Sequence, residues 1–160
     1  MHKLIGMVLA VFLGLAGMVL AADIPANIPT EKQKVVYHIN SGDAKEQLGA
    51  LRNIQNHISA AGADSLDIKV VLHGDGLSLL LYPDALAKTK MMTANSTEEM
   101  QVKVEGLKQQ NVQFQVCNNT IKGRNIPLDG LYGVSEVDVV PSGVAQLAIL
   151  QSQGYAYIKP

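Results

Sequence analysis

Cys117 is the single cysteine of this 160-residue chain. One thiol cannot close a disulfide within its own chain, so this sulfur is buried and inert, paired with another chain, or exposed for chemistry. The other chemically versatile side chains fall at comparable places. His38, Asn40 and Asp43 follow one apolar run, His73 and Asp75 a second, Cys117 and Asn118 a third, and Ser142 with Gly143 a fourth. A histidine beside a thiol can hold it as thiolate or move its proton. A lone histidine closing a strand is more often a hydrogen-bonded structural residue. Histidine and cysteine together also make metal ligands, but neither HxxxH nor CxxC spacing occurs, and no metal or other cofactor is expected. Gly74–Asp75–Gly76 is not a phosphate-loop fingerprint. Ser142–Gly143 at a helix start reads as an N-cap before it reads as an anion site.

The runs that carry these residues alternate between strand and helix character. KVVYHI (Lys34 to Ile39) is a β-branched strand, and NSGD after it is a turn able to cap a helix. A helix over Ala44 to Ala61 follows, with Leu48, Leu51, Ile54 and Ile58 on one stripe and Gly62 as its stop. DIKVVLHG (Asp67 to Gly74) is a second strand, while LSLLL after it fits helix or strand equally. Ser96 and Glu99 read as a capping box opening a helix to about Gln110. VQFQV runs into Cys117 as a third strand and EVDVVP (Glu136 to Pro141) is a fourth. A helix from Ser142 to Gly154 and the strand YAYI complete the chain. Strands alternating with helices of this length imply a parallel sheet covered on both faces. In such sheets sites form outside the carboxyl ends of the strands, where the residues named above lie.

Cys117 has a physical route to reactivity there. A helix starting near Asn118 would direct N–H groups at the sulfur, and Lys122 and Arg124 follow closely. The opposing reading is that free cysteine is among the most buried residue types. His57, beside the first helix's stripe, reads as a partly exposed surface residue. Asn95 and Asn118 each begin an N-x-Ser/Thr pattern, which carries little weight without a glycosylating host.

The chain opens with Lys3, an uncharged apolar run from Leu4 to Leu20, and Ala21–Ala22, which is the pattern of a cleaved signal peptide over residues 1–22. The alternative is an uncleaved N-terminal anchor. Residues 23–33, with Pro25 and Pro29, read as an extended linker, and 34–160 as one domain. The full chain has 13 Lys and Arg against 14 Asp and Glu; losing Lys3 with the leader leaves 12 against 14. That balance excludes an electrostatic nucleic-acid binder. The expected mature protein is periplasmic or secreted and makes no stable membrane insertion after cleavage. The close succession of Leu77, Leu79, Leu80 and Leu81 is more apolar surface than a short element buries alone, so a homo-oligomer is expected.

The order KVVYHIN, IKVVLHGDGLSLL, VQFQVCNNTI and VDVVPSGVAQLAILQSQGYAYIKP resembles the DsrE/DsrF-like family, particularly small exported members, across Lys34 to Pro160. The cysteine after the third strand and the Ser-Gly-Val helix with its terminal Gly-Tyr-x-Tyr-Ile strand are the most specific parts. The resemblance implies a three-layer α/β/α fold with a five-stranded, mainly parallel sheet, and assembly into trimers or hexamers. It also implies that Cys117 matches the cysteine that carries sulfur as a persulfide in sulfur-relay members. The leading reading is then an exported sulfane-sulfur carrier, not a turnover enzyme, in which His73 and His38 stabilise the thiolate or move its proton and a sulfur donor or acceptor protein is the partner. Asn40, Asp75, Asn118, Ser142 and Gly143 would then line the site. This chain differs in its leader, its lack of a second cysteine and an extra segment around Pro83 to Asn95. The alternative function is an oligomeric module that binds a small ligand or metal without transferring sulfur.

Overall fold

The computed structural model describes residues 31–160. The leader and the linker as far as Thr30 lie outside the described residues. The elements in order are β1 (Gln33–Ile39), α1 (Ala44–Ala61), β2 (Leu66–Leu72), α2 (Glu98–Lys108), β3 (Gln113–Cys117), α3 (Asn118–Gly123), β4 (Val139–Val140), α4 (Gly143–Ser152) and β5 (Ala156–Ile158). The strands form one sheet in the order β4-β3-β2-β1-β5, and every pairing is parallel. With helices on both faces this is the three-layer α/β/α architecture expected.

Alternation along the strands divides the core. Val35, Tyr37 and Ile39 of β1, Ile68, Val70 and Leu72 of β2, and Phe114 and Val116 of β3 face α1 and α2, packing on Leu51, Ile54, Ile58, Val104 and Leu107. Val36 and Val71 face the other way, onto Leu147 and Leu150 of α4 and onto Tyr155. The alternate residues His38 and Cys117 share that second face. One helix, α4, covers that face, packing against β1, β2, β3 and β5.

Helix α1 has the bounds its periodicity predicts; Asp43 caps it by accepting from Glu46 N–H at 2.9 Å, and Gly62 ends it at φ 84°. Helix α2 departs from expectation. Its cap is Thr97, which accepts from Met100 N–H, whereas Ser96 is buried and its hydroxyl is unpartnered. The predicted fourth strand shrinks to Val139–Val140, because Ser135 and Asp138 cap each other reciprocally and turn Glu136–Asp138 into a 3-10 turn.

The leucine run is neither α-helix nor strand. Gly74–Leu79 is a 3-10 helix, and Leu81 makes an isolated antiparallel bridge to Leu131. Leu77, Leu79, Leu80 and Leu81 are all at most 1% exposed. The surface argument for an oligomer drawn from them therefore fails: a tight 3-10 turn tucked under the sheet's end buries all four within their own domain. The turn can lie there because residue 76 is glycine; a Cβ on Gly76 would stand 2.1 Å from the Ile39 carbonyl oxygen. The segment around Pro83 to Asn95 is tied down by a polar network in which Asn95 donates to Gly42 O and Gln47 Oε1, each at 2.9 Å. Gln47 in turn donates to Ser41 O at 2.7 Å and Ser78 Oγ at 2.9 Å.

Gly76→Ala is expected to destabilise the domain by about 1–3 kcal/mol or more, because the overlap is with backbone that cannot rotate away. The check is a lower urea midpoint with an unchanged slope; an unchanged midpoint would mean the turn does not need to lie on β1.

Candidate functional site

Three strands present one residue each to the same corner. The β1–β2 register pairs His38 with Val71 and Ile39 with Leu72, and the β2–β3 register pairs Leu72 with Val116. One step further along both chains, His73 and Cys117 stand side by side, with His38 on the same face two positions back. The β5 register pairs Tyr157 with Val36, which puts Tyr157 on that face at the sheet edge. Tyr157, His38, His73 and Cys117 thus form a slanted row across β5, β1, β2 and β3.

Gly143, the first residue of α4, closes the row from above. A Cβ there would meet His73 Cβ at 2.8 Å and Cys117 Cβ at 3.2 Å. Glycine is therefore a requirement of close approach, and Ser142 beside it caps α4 by accepting from Ala145 N–H at 3.4 Å.

His38 Nε2 lies 2.7 Å from His73 Nε2, and His38 Nδ1 lies 2.6 Å from Tyr157 Oη. The two ring centroids lie 4.7 Å apart with planes 22° from parallel. Burial lowers the pKa of His38 to about 4, reinforced by the neighbouring His73 and Lys159 charges. Burial and Lys159 lower His73 as well. Both rings are neutral at neutral pH.

Cys117 is 4% exposed, and burial by itself raises its pKa. The Gly143 N–H, the Thr120 hydroxyl and the Thr120 and Asn119 N–H groups outweigh that, and the thiol sits below an ordinary cysteine. None closes a side-chain cap bond of ordinary geometry on the sulfur at the start of α3; they act as dipoles converging from two helix starts. Thr120 is oriented for this: its oxygen accepts from Gly74 N–H at 2.9 Å, which leaves the hydroxyl proton for the sulfur.

The other sequence-predicted residues are distributed around this centre. Asn40 lines, with His38, Glu46 and Lys159, a hollow of about 90 Å³ near the β1 and β5 ends. Asn118 borders a different hollow with Ile121, Leu128 and Glu136. Asp75 turns to Arg124, 3.1 Å from its guanidinium, and Arg124 also donates to Lys90 O. The expected help of Lys122 and Arg124 to the thiolate is thus replaced by backbone dipoles: Lys122 is exposed and Arg124 is held by Asp75. His57 accepts or donates at Nδ1 to Tyr37 Oη at 2.9 Å, away from the row. Among the described residues no group of three or more His, Cys, Asp or Glu is arranged to hold a metal ion.

Sequence reasoning missed Thr120, Tyr157 and Lys159. Thr120 was within reach, since it is the third residue of the helix that Cys117 precedes, where a donor meets a capping side chain. Tyr157 required the register of β5.

Thr120→Val is expected to raise the Cys117 pKa, because a hydrogen-bond donor to the charged form is lost, while Thr120→Ser preserves it. Thiolate absorbance against pH checks this; equal midpoints in wild type and Thr120→Val would show that the hydroxyl points elsewhere.

No curated protein matches the chain. Among solved structures it is similar to a protein of unknown function, MTH1491, from Methanobacterium thermoautotrophicum, with 29% identity, 81% of this chain and 100% of that chain covered, and a TM-score of 0.64. It shares its fold with the ychN protein from E. coli at 19% identity, covering 80% of this chain and 99% of that one, with a TM-score of 0.59. The DsrE/DsrF-like family model matches residues 33–160, from the first residue of β1 through the whole of the row described above, and the chain belongs to the DsrE/DsrF-like family.

Proposed function

We propose that this protein is an exported carrier of sulfane sulfur, in which Cys117 takes up one sulfur atom as a persulfide and hands it to an acceptor thiol. The observation that carries the reading is the seat of Cys117, which is the N-cap residue of α3 and lies under the first turn of α4 where Gly143 closes on it; N–H groups of Gly143, Thr120 and Asn119 and the Thr120 hydroxyl there offset its burial. A cysteine packed only as a small hydrophobe has no use for them. Membership of the family supports the same reading, as does the lack of a second cysteine to divert a persulfide into an internal disulfide. Export rests on the leader over 1–22.

In loading, the Cys117 thiolate attacks the outer sulfur of a persulfide or polysulfide donor. A Cys117 S–S bond forms, the donor's S–S bond breaks, and the donor leaves as a thiolate. Unloading is the same exchange with an acceptor thiolate as nucleophile. No net oxidation occurs in either direction.

A homo-oligomer belongs to this proposal, now on a different surface. Helix α4 is apolar on both sides: Leu147 and Leu150 are buried, while Val144 is 64% and Ile149 48% exposed, with Ala145 and Ala148 exposed beside them. Exposed apolar side chains on the outer side of a helix ask for cover. From Val139 to Ile158 the chain carries no charged residue. Two copies can therefore meet there without facing like charges, which commits the surface to a second copy of this chain.

Polysulfide treatment is expected to add one reducible sulfur, about 32 mass units, to the wild-type protein and none to Cys117→Ser. Failure to gain that mass, with Cys117 resisting alkylation until the protein unfolds, would leave a core residue and end the carrier reading. Light scattering at micromolar concentration is expected to give a trimer or hexamer that Ile149→Lys dissociates; a monomeric wild type would remove the α4 argument.

A further inference from the structure

We propose that helix α3 is a gate over Cys117 and that the Asp75–Arg124 ion pair is its latch. The inference deepens the carrier reading and rests on it for its purpose, since a sulfur 4% exposed has to be uncovered before a donor or acceptor can reach it.

Two elements cover the sulfur: the first turn of α4, through Gly143, and α3, through Asn119 and Thr120. They are anchored very differently. Helix α4 buries Gly143, Leu147 and Leu150, the two leucines in one cluster with Val36 and Val71, so lifting it would open a whole face of the sheet. None of the six residues of α3 is buried, and only Ile121 packs partly against the core. The chain is fixed on either side of α3, by Cys117 itself and by the buried Ile126. Between α3 and Ile126 it turns through Asn125 at φ 52°, and the space beside Gly123 is open. A short helix slung between two fixed points with so few apolar contacts belongs to the least stable parts of a fold.

What holds α3 down is polar. Thr120 Oγ1 accepts from Gly74 N–H at 2.9 Å. Arg124, directly after the helix, places its Nη2 3.1 Å from Asp75 Oδ1 and donates from Nη1 to Lys90 O at 3.0 Å. Lys90 N–H donates back to Arg124 O at 2.7 Å. Asp75 is the fixed half of the latch, because it lies in the 3-10 turn that Gly76 seats on the Ile39 carbonyl and that Leu77 and Leu79 bury. The ion pair thus joins a rigid turn after β2 to a movable helix after β3. Both of its side chains are partly exposed, so it is weak enough to break and re-form. Unwinding the first turn of α3 withdraws the Asn119 and Thr120 N–H groups and the Thr120 hydroxyl together, and leaves the sulfur open with the Gly143 N–H still on it.

The test is the rate at which iodoacetamide alkylates Cys117 in the full mature chain, followed by mass as urea is raised from zero, with no sulfur donor present. At low urea the rate is expected to be nearly independent of urea, as for a local opening, and to take on the slope of global unfolding only near the midpoint. Asp75→Asn and Arg124→Gln are each expected to raise the low-urea rate about two- to five-fold, the scale of an exposed ion pair. The double variant is expected to be no faster than the faster single one, since both remove the same contact. A charge effect on the thiol alone would move the two single variants in opposite directions, because losing an anion lowers a thiol pKa and losing a cation raises it. Leu147→Ala, which loosens α4, is expected to leave the low-urea rate unchanged. The gate is overturned by a wild-type rate that follows the global slope from zero urea, by single variants that move oppositely or not at all, by a double variant whose rise is the product of the two, or by an equal rise in Leu147→Ala. Alkylation through α3 without sulfur uptake in the separate mass measurement removes the carrier reading alone. Sulfur uptake with both single variants at the wild-type rate removes the gate alone.

Discussion

The first turn of α4 lies directly on the carboxyl ends of β2 and β3, with nothing but the Gly143 hydrogen between helix backbone and sheet. A methyl group there would stand within 2.8 Å of His73 and 3.2 Å of Cys117, so the approach exists only because the residue has no Cβ. Much follows from it. It seats α4 low enough for Leu147 and Leu150 to reach Val36 and Val71, it excludes water from the thiol, and it delivers the Gly143 N–H to the same sulfur it buries. The contact that makes Cys117 inaccessible is thus also the one that makes its thiolate tolerable.

The electrostatics of the corner are built from dipoles and neutral rings. Its cations are engaged elsewhere: Arg124 is held by Asp75 and Lys122 is exposed. Burial keeps the two histidines unprotonated, and Lys159 adds to that effect. A fixed cation against the sulfur would hold the thiolate but also hold a persulfide anion, slowing its release. Oriented N–H groups stabilise charge more weakly and without a counter-ion to displace, which suits the loading and unloading that the proposed carrier role requires.

Much of the architecture is legible in the sequence because it depends on local rules. The β-branched run of β1, the stripe of α1 with Asp43 before it and Gly62 after it, and the Ser142 cap of α4 each contain their own signal. The misreadings arise where tertiary contact overrides pattern. LSLLL carries no period that tells helix from strand, and only the seat of Gly76 against Ile39 makes it a 3-10 turn. Ser96 has the spacing of a capping box, but its neighbour Asn95 is drawn into the Gly42–Gln47–Ser78 network, and Thr97 takes the cap. For the candidate site, strand-end position singles out His38, His73 and Cys117, which the structure places in one row, without any knowledge of register. It could not find Tyr157, because which β5 residue faces His38 depends on pairing across 119 positions of chain.

The same parity argument explains why the site lies on the face that α4 covers. On the α1 and α2 side, positions 35, 37, 39, 68, 70, 72, 114 and 116 are all apolar and form one continuous core, which leaves no place for a polar row without unsatisfied groups. The opposite face needs only Val36 and Val71 under a single helix, and beyond them its next positions are free to be His38, His73 and Cys117. A three-layer sheet with two helices on one side and one on the other can be stabilised by the heavier side while the lighter side accommodates chemistry. The exposed outer surface of α4 is the consequence: a lone helix covering a whole face has a back as well as a front, and in this chain both are apolar.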